Sequence, residues 1–196
     1  MPYFAAAVVR SADGAAAGNG WSASEMSLTD ASDVEDVADR LRDVDPGADV
    51  SLLFVESDDS YLVIMRLDGG EDLRVFGSDS TFAEESRLGA LLLGDVSRPA
   101  LELETLGTGA LEAEALEPDA PELEAEPDES TVDTLPGPIV ADVDPAGDAD
   151  LLADLGVPAG KLLQLCFHDG MLPSDVTAEV CQAIGCGDEI EELREA

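Results

Sequence analysis

Val50-Ser51-Leu52-Leu53-Phe54-Val55 is an apolar run of strand length, and Tyr61-Leu62-Val63-Ile64-Met65-Arg66-Leu67 is a second. Between them lies the polar stretch Ser57-Asp58-Asp59-Ser60, built from residue types that favour tight turns. Two β-prone runs joined by so short a polar connection predict an antiparallel hairpin. Asp68-Gly69-Gly70 then turns the chain again into Leu73 to Phe76, a third strand. This meander decides the fold class, and the flanking sequence extends it.

Upstream, Tyr3 to Arg10 reads as a buried strand. Asp13-Gly14 and Gly18-Asn19-Gly20 mark a loop, and Trp21 to Met26 a short second strand. Ser32 with Glu35 three residues on has the form of a capping box. Val34, Val37, Ala38, Leu41 and Val44 follow at helical spacing, which predicts an amphipathic helix over 33–44, ended by Pro46-Gly47. Downstream, Thr81 with Glu84 suggests a second capping box and one helix through about Leu93. Residues 1–95 therefore predict an α+β domain: an antiparallel sheet with two helices, covered on one face.

The composition changes after that. Residues 96–147 hold seven of the chain's 11 prolines and many acids, with Arg98 the sole base. Like charges repel and few side chains can pack, so the segment predicts a largely disordered acidic linker, with a transient helix near 101–116. Residues 148–196 predict a small helical domain. Asp148 to Leu155 would be its first helix, closed by Gly156. A second would follow Pro158, carry Leu162, Leu163, Leu165, Cys166 and Phe167, and close at Gly170. A third would open at Pro173-Ser174 with Val176, Val180, Cys181 and Ile184 on one face. Gly185-Cys186-Gly187 would break it before a last acidic turn or two, Asp188 to Arg194. So small a piece predicts docking, on the first domain or on a partner.

Charge constrains partners most strongly. Nine basic residues stand against 45 acidic ones, a net of −36, and Lys161 is the only lysine. Nucleic acid binding draws on Lys and Arg to neutralise phosphates, and an anionic membrane needs the same. Both are disfavoured, whereas a basic protein surface is attracted and steered. Solubility alone, or a saline habitat, would also account for the acidity. Aromatics are 4% of the chain, so its core must be mostly aliphatic. Met1 to Arg10 has no basic stretch ahead of its apolar run and reads as a strand, not a signal peptide. No apolar run nears the ~18 residues a membrane span needs. With three cysteines expected to be reduced thiols, the predicted location is the cytoplasm.

Each grouping that resembles chemistry has a structural explanation. Cys166, His168, Cys181 and Cys186 are the one metal-like set. Their spacings, Cys-x-His and Cys-x4-Cys, are not those of zinc sites. On a helix Cys166 and His168 would point roughly 160° apart. The cysteines are expected in the core, and His168 in solvent near a helix C-terminus, where the dipole favours it. Asp58-Asp59 fits a turn, and Glu84-Glu85 a helix's first turn. Asp142-Val143-Asp144 begins like a calcium loop but does not continue as one. Walker, dinucleotide and nucleophile-elbow motifs are absent. No catalytic, cofactor-binding or metal-binding residue is therefore assigned, and no cofactor is expected.

Several stretches carry a resemblance. They are Tyr3-Phe4-Ala5-Ala6-Ala7-Val8-Val9-Arg10 with Gly20-Trp21, Leu52-Leu53-Phe54-Val55-Glu56, Arg74-Val75-Phe76-Gly77-Ser78-Asp79 and Leu88-Gly89-Ala90-Leu91-Leu92-Leu93-Gly94. At the other end are Gly147-Asp148-Ala149-Asp150-Leu151-Leu152-Ala153-Asp154-Leu155-Gly156, Leu172-Pro173 and Ala183-Ile184-Gly185-Cys186-Gly187-Asp188-Glu189. In these the chain resembles the tRNA adenosine deaminase-associated protein family of actinobacteria, over both ends but not the acidic middle. The resemblance implies an accessory or regulatory partner of the deaminase that converts the wobble adenosine of tRNA to inosine. It transfers no catalytic residues. The deaminase itself needs His-x-Glu and Pro-Cys-x-x-Cys to hold zinc and move protons. Here His168 is followed by Asp169-Gly170, and Cys-x-x-Cys does not occur. The expectation is a non-enzyme that meets its partner through acidic surface. The alternatives are an acidic nucleic-acid mimic or scaffold for another basic protein, and a small-molecule enzyme using the α+β domain.

Overall fold

Strand β1 (Tyr3–Ser11) lies between β2 (Trp21–Glu25) and β3 (Ala48–Ser57), and β4 (Tyr61–Asp68) and β5 (Asp72–Gly77) continue the sheet as the sequence meander requires. A two-residue strand, β6 (Ala146–Gly147), completes the order β2-β1-β3-β4-β5-β6, every pair antiparallel. The protein is α+β. The computed structural model describes residues 3–11, 20–57, 59–94, 96, 144–168 and 170–195. The predicted linker falls largely outside these, as do the transient helix near 101–116 and the whole of a second unit, Ala100–Val140. Residues 146 and 147, at the end of that stretch, pair with Gly77 and Phe76.

The register of the hairpin fixes which side chains share a face. Phe54 sits opposite Ile64, and Ile64 opposite Phe76. With Ala6, Val8 and Leu52 they form one buried face; Ala7, Leu53, Val63 and Met65 form the other. Helix α1 (Val34–Val44) covers the second face with Val37 and Leu41, and Phe82, Leu92 and Leu93 complete it. The first face is covered by the C-terminal helices α4 (Ala159–Cys166), α5 (Pro173–Ile184) and α6 (Gly187–Glu195), through Leu162, Val176, Val180 and Ile190. The sheet is thus covered on both faces, not on one. Its central strands show why: an antiparallel sheet with one wet face alternates polar and apolar residues, whereas β4 runs Leu62-Val63-Ile64-Met65 without a break.

Local signals place the helix ends, with three differences from the sequence reading. Asp33, not Ser32, caps α1: its carboxylate accepts the Asp36 N–H at 2.9 Å, while the Asp36 carboxylate accepts the Ser32 N–H at 2.9 Å. The reciprocal acid is Asp36 rather than Glu35, because the box starts one residue later.

The single helix expected from Thr81 to Leu93 is two, α2 (Thr81–Glu85) and α3 (Arg87–Leu93). Ser86 leaves the helical region at φ −133° and its Oγ accepts from the N–H groups of Leu88 and Gly89. The break lets Phe82 sink into the core, stacked on Tyr61 at 4.6 Å.

The helix expected over 148–155 is only a 3-10 turn, Ala153–Leu155. Asp148 instead prolongs the sheet edge, donating its N–H to Val75 O, and its carboxylate accepts the Asp150 N–H. Leu151 and Leu152, adjacent in sequence, are both fully buried. Gly156, Gly170 and Gly185 take positive φ (99°, 82° and 89°) where the sequence places helix ends.

Candidate functional site

The residues singled out for chemistry do not assemble. Cys166, half-buried on α4, has its thiol pushed up to about 12 by burial. Cys181 and Cys186 are fully buried beside the α5–α6 turn, where the Cys186 N–H donates to Cys181 O at 2.8 Å. A hydrogen bond with the Cys186 thiol, and then burial, raise the Cys181 thiol well above its ordinary range. All three are free thiols. Cys166 and Cys181, so raised, carry little thiolate at neutral pH and are poor nucleophiles. His168 is exposed just past the C-terminus of α4, with its backbone N–H on Leu165 O.

Among the described residues no three His, Cys, Asp or Glu side chains converge as metal ligands do. Asp59 sits in the hairpin turn at φ 54°. Glu84 lies in the first turn of α2, and Glu85 accepts a 2.5 Å hydrogen bond from the Tyr61 hydroxyl. Asp144 accepts the Ser80 N–H through its backbone carbonyl. Asp58, Asp142 and Val143 lie outside the described residues.

Two features stand out that sequence reading did not single out. The first is an ion cluster under the C-terminal segment. Arg66 is buried, 4% exposed, on the face that α4–α6 cover, directly opposite Arg74 on β5. Asp68 bridges them, 2.7 Å from Arg66 and 3.1 Å from Arg74. Arg66 also donates to Leu151 O at 2.6 Å and to the Asp154 carboxylate. That bond holds Asp154 below the usual carboxylate range, and Arg66 is correspondingly raised. Two opposed arginines would repel across the strands, so the acids are what allow them there. The cluster ties the segment after β6 to the sheet. Its sequence signal is a lone arginine in the apolar run of β4.

The second is a groove of about 1000 Å³ between α5 and α6, closed at one end by the α4–α5 connection. Leu165, Met171 and Ala178 give it apolar surface, and Asp175, Glu179, Asp188 and Glu191 are exposed along its two walls. Between Pro173 and Glu195 the one basic residue is Arg194. Its guanidinium lies 2.5 Å from Glu56 and 5.1 Å from the Phe4 ring centre, which binds it to the sheet. The arrangement offers shape, some apolar contact and negative charge.

Among the described residues no helix is long and apolar enough to cross a membrane. No curated protein and no solved structure matches the chain. Residues 3–187, however, match the family model described as Rv3753c-like tRNA adenosine deaminase-associated protein. The match runs through the sheet, the helices on both of its faces and α5, and the chain belongs to that family.

Proposed function

We propose that this protein is a non-catalytic accessory or regulatory partner of the tRNA adenosine deaminase, joined to it through acidic surface. The family description, which names association with that deaminase, supports the choice of partner. The observation that carries the mode of contact is the crowding of acids on the outer faces of α5 and α6, with their one arginine committed to Glu56. An enzyme that binds tRNA presents basic surface, and complementary charge gives both orientation and a fast encounter. The same charge keeps bare tRNA away, so the protein reaches RNA only by way of the enzyme.

Calorimetric titration of the full chain into purified tRNA adenosine deaminase tests this. Binding at low salt that weakens as salt is added is the expected result, together with a deaminase rate that changes on complex formation. No heat at low salt removes the proposal. Equal affinity for an unrelated basic protein replaces it with a general acidic scaffold.

A further inference from the structure

We propose that the groove between α5 and α6 takes a basic amphipathic helix of the partner protein. This rests on the reading above and adds where contact is made and what kind of segment makes it.

Shape comes first. Helix α5 has 12 residues, and a helix of that length runs about 18 Å, three turns. The groove, lined along α5 and of about 1000 Å³, suits one short helix better than a globular surface. Its accessible apolar surface comes from the exposed Ala178 on α5 and the half-buried Leu165 and Met171 at the α4–α5 end. An occupant meeting that surface needs an apolar stripe of its own, with anchors at helical spacing. Ala178 is exposed and small, so an anchor can approach the α5 backbone there.

The walls supply the second half of the specification. Asp175 and Glu179 rise from α5, Asp188 and Glu191 from α6. The occupant therefore meets negative charge on both flanks, which suits Lys or Arg on either side of its stripe. Arg194, the one cation of these two helices, also lines the groove, but its guanidinium is paired with Glu56, so the acids of the walls outweigh it. Empty, those walls repel each other; a basic segment relieves that repulsion.

Exposed apolar surface points to the same end of the molecule. Phe167 and Leu172 are 40% and 44% exposed. Both lie in the α4–α5 connection, whose His168, Gly170 and Met171 line the groove. Among the described residues the third exposed large apolar one, Val44, is on α1, across the sheet. Charge alone would attract any basic chain; two uncovered apolar side chains beside the groove, with Ala178 and Met171 within it, select an amphipathic one.

Fluorescence anisotropy of the full chain with a labelled synthetic Leu/Lys peptide of about four helical turns tests the proposal. A scrambled peptide of the same composition, and so the same charge, serves as its control. Acids elsewhere on the chain attract both peptides alike, so the difference isolates the groove. The amphipathic peptide is expected to bind at least tenfold tighter than the scrambled one. Ala178→Trp fills the groove from an exposed helical position and is expected to cost the amphipathic peptide at least tenfold, with the melting temperature unchanged. Val44→Ser, across the sheet, is expected to change nothing.

No binding overturns the proposal, as does equal binding of the two peptides or binding indifferent to Ala178→Trp. Peptide binding without deaminase binding keeps the groove and removes the proposed partner. Deaminase binding undiminished by Ala178→Trp keeps the partner and removes the groove.

Discussion

Arg66 shows how one side chain joins distant parts of the chain. Its donors reach Asp68 on its own strand and Leu151 and Asp154 far along the sequence. Replacing it by methionine keeps the bulk but leaves the Leu151 carbonyl, buried beneath it, without its donor. Arg66→Met is expected to lower the unfolding free energy by about 2 kcal/mol in chemical denaturation, within the range for an orphaned buried acceptor. A loss near zero would show the cluster to be ornamental. The Asp154 contact carries a pH signature. Its carboxylate is held below the ordinary value of 3.8 by the Arg66 hydrogen bond. A depressed carboxylate stabilises the fold above its unfolded value and loses that stabilisation as pH falls through the folded one. The melting-temperature gap between wild type and Asp154→Asn is therefore expected to be flat at neutral pH and to close below about pH 4. Because Asp154 is more than half exposed, the gap is small, under about 1 kcal/mol. Gly147 is a second decisive residue. It sits at φ 84°, and a Cβ there would lie 2.0 Å from Val75 O. Gly147→Ala is expected to cost well over ~1 kcal/mol in the same denaturation experiment, since both the conformation and the space are unsuitable.

At the scale of elements, Ser86 separates two helices that the sequence pattern merges. Ser86→Ala removes the Oγ that accepts from Leu88 and Gly89 and is expected to cost about 1 kcal/mol, as lost N-caps do. If the variant were as stable as wild type, the break would owe nothing to the cap. Gly89 contributes independently: a Cβ on it would overlap the Phe82 carbonyl oxygen at 1.9 Å, so α2 and α3 approach more closely than a larger residue allows. Such close approach is a relation between two elements. The periodicity of Phe82, Leu88, Leu92 and Leu93 does not contain it, and that is why the region reads as one helix. The stop of α5 was legible because its signal is local, the positive φ that Gly185 takes just past the last apolar position, whereas α4 ends at Cys166, short of the Gly170 that the sequence marks.

For the whole molecule, the two-sided sheet makes the C-terminal helices part of the core. A chain ending after Gly94 would keep β1–β5 and α1–α3 but uncover Leu52, Phe54, Ile64 and Phe76, all fully buried in the intact protein. Such a truncation is expected to bind a hydrophobic dye and aggregate, while the full chain melts in one transition. A soluble, cooperatively folding truncation would mean that the helices are an appendage. The same docking creates the groove, since α5 can turn its acids outward only because Val176 and Val180 hold it to the sheet.

What the sequence by itself determined is local or summed: the antiparallel meander, the stop of α5 at Gly185, the family, and a net charge of −36. These depend on neighbours in the chain or on no geometry at all. Only the tertiary structure decided that both faces of the sheet are covered, that Arg66 clasps Asp154, and that α5 and α6 enclose an acid-walled groove. The physical reason is separation. Each of these joins residues far apart in the chain or sets one element's angle against another, and that information enters only when apolar faces find each other and pack.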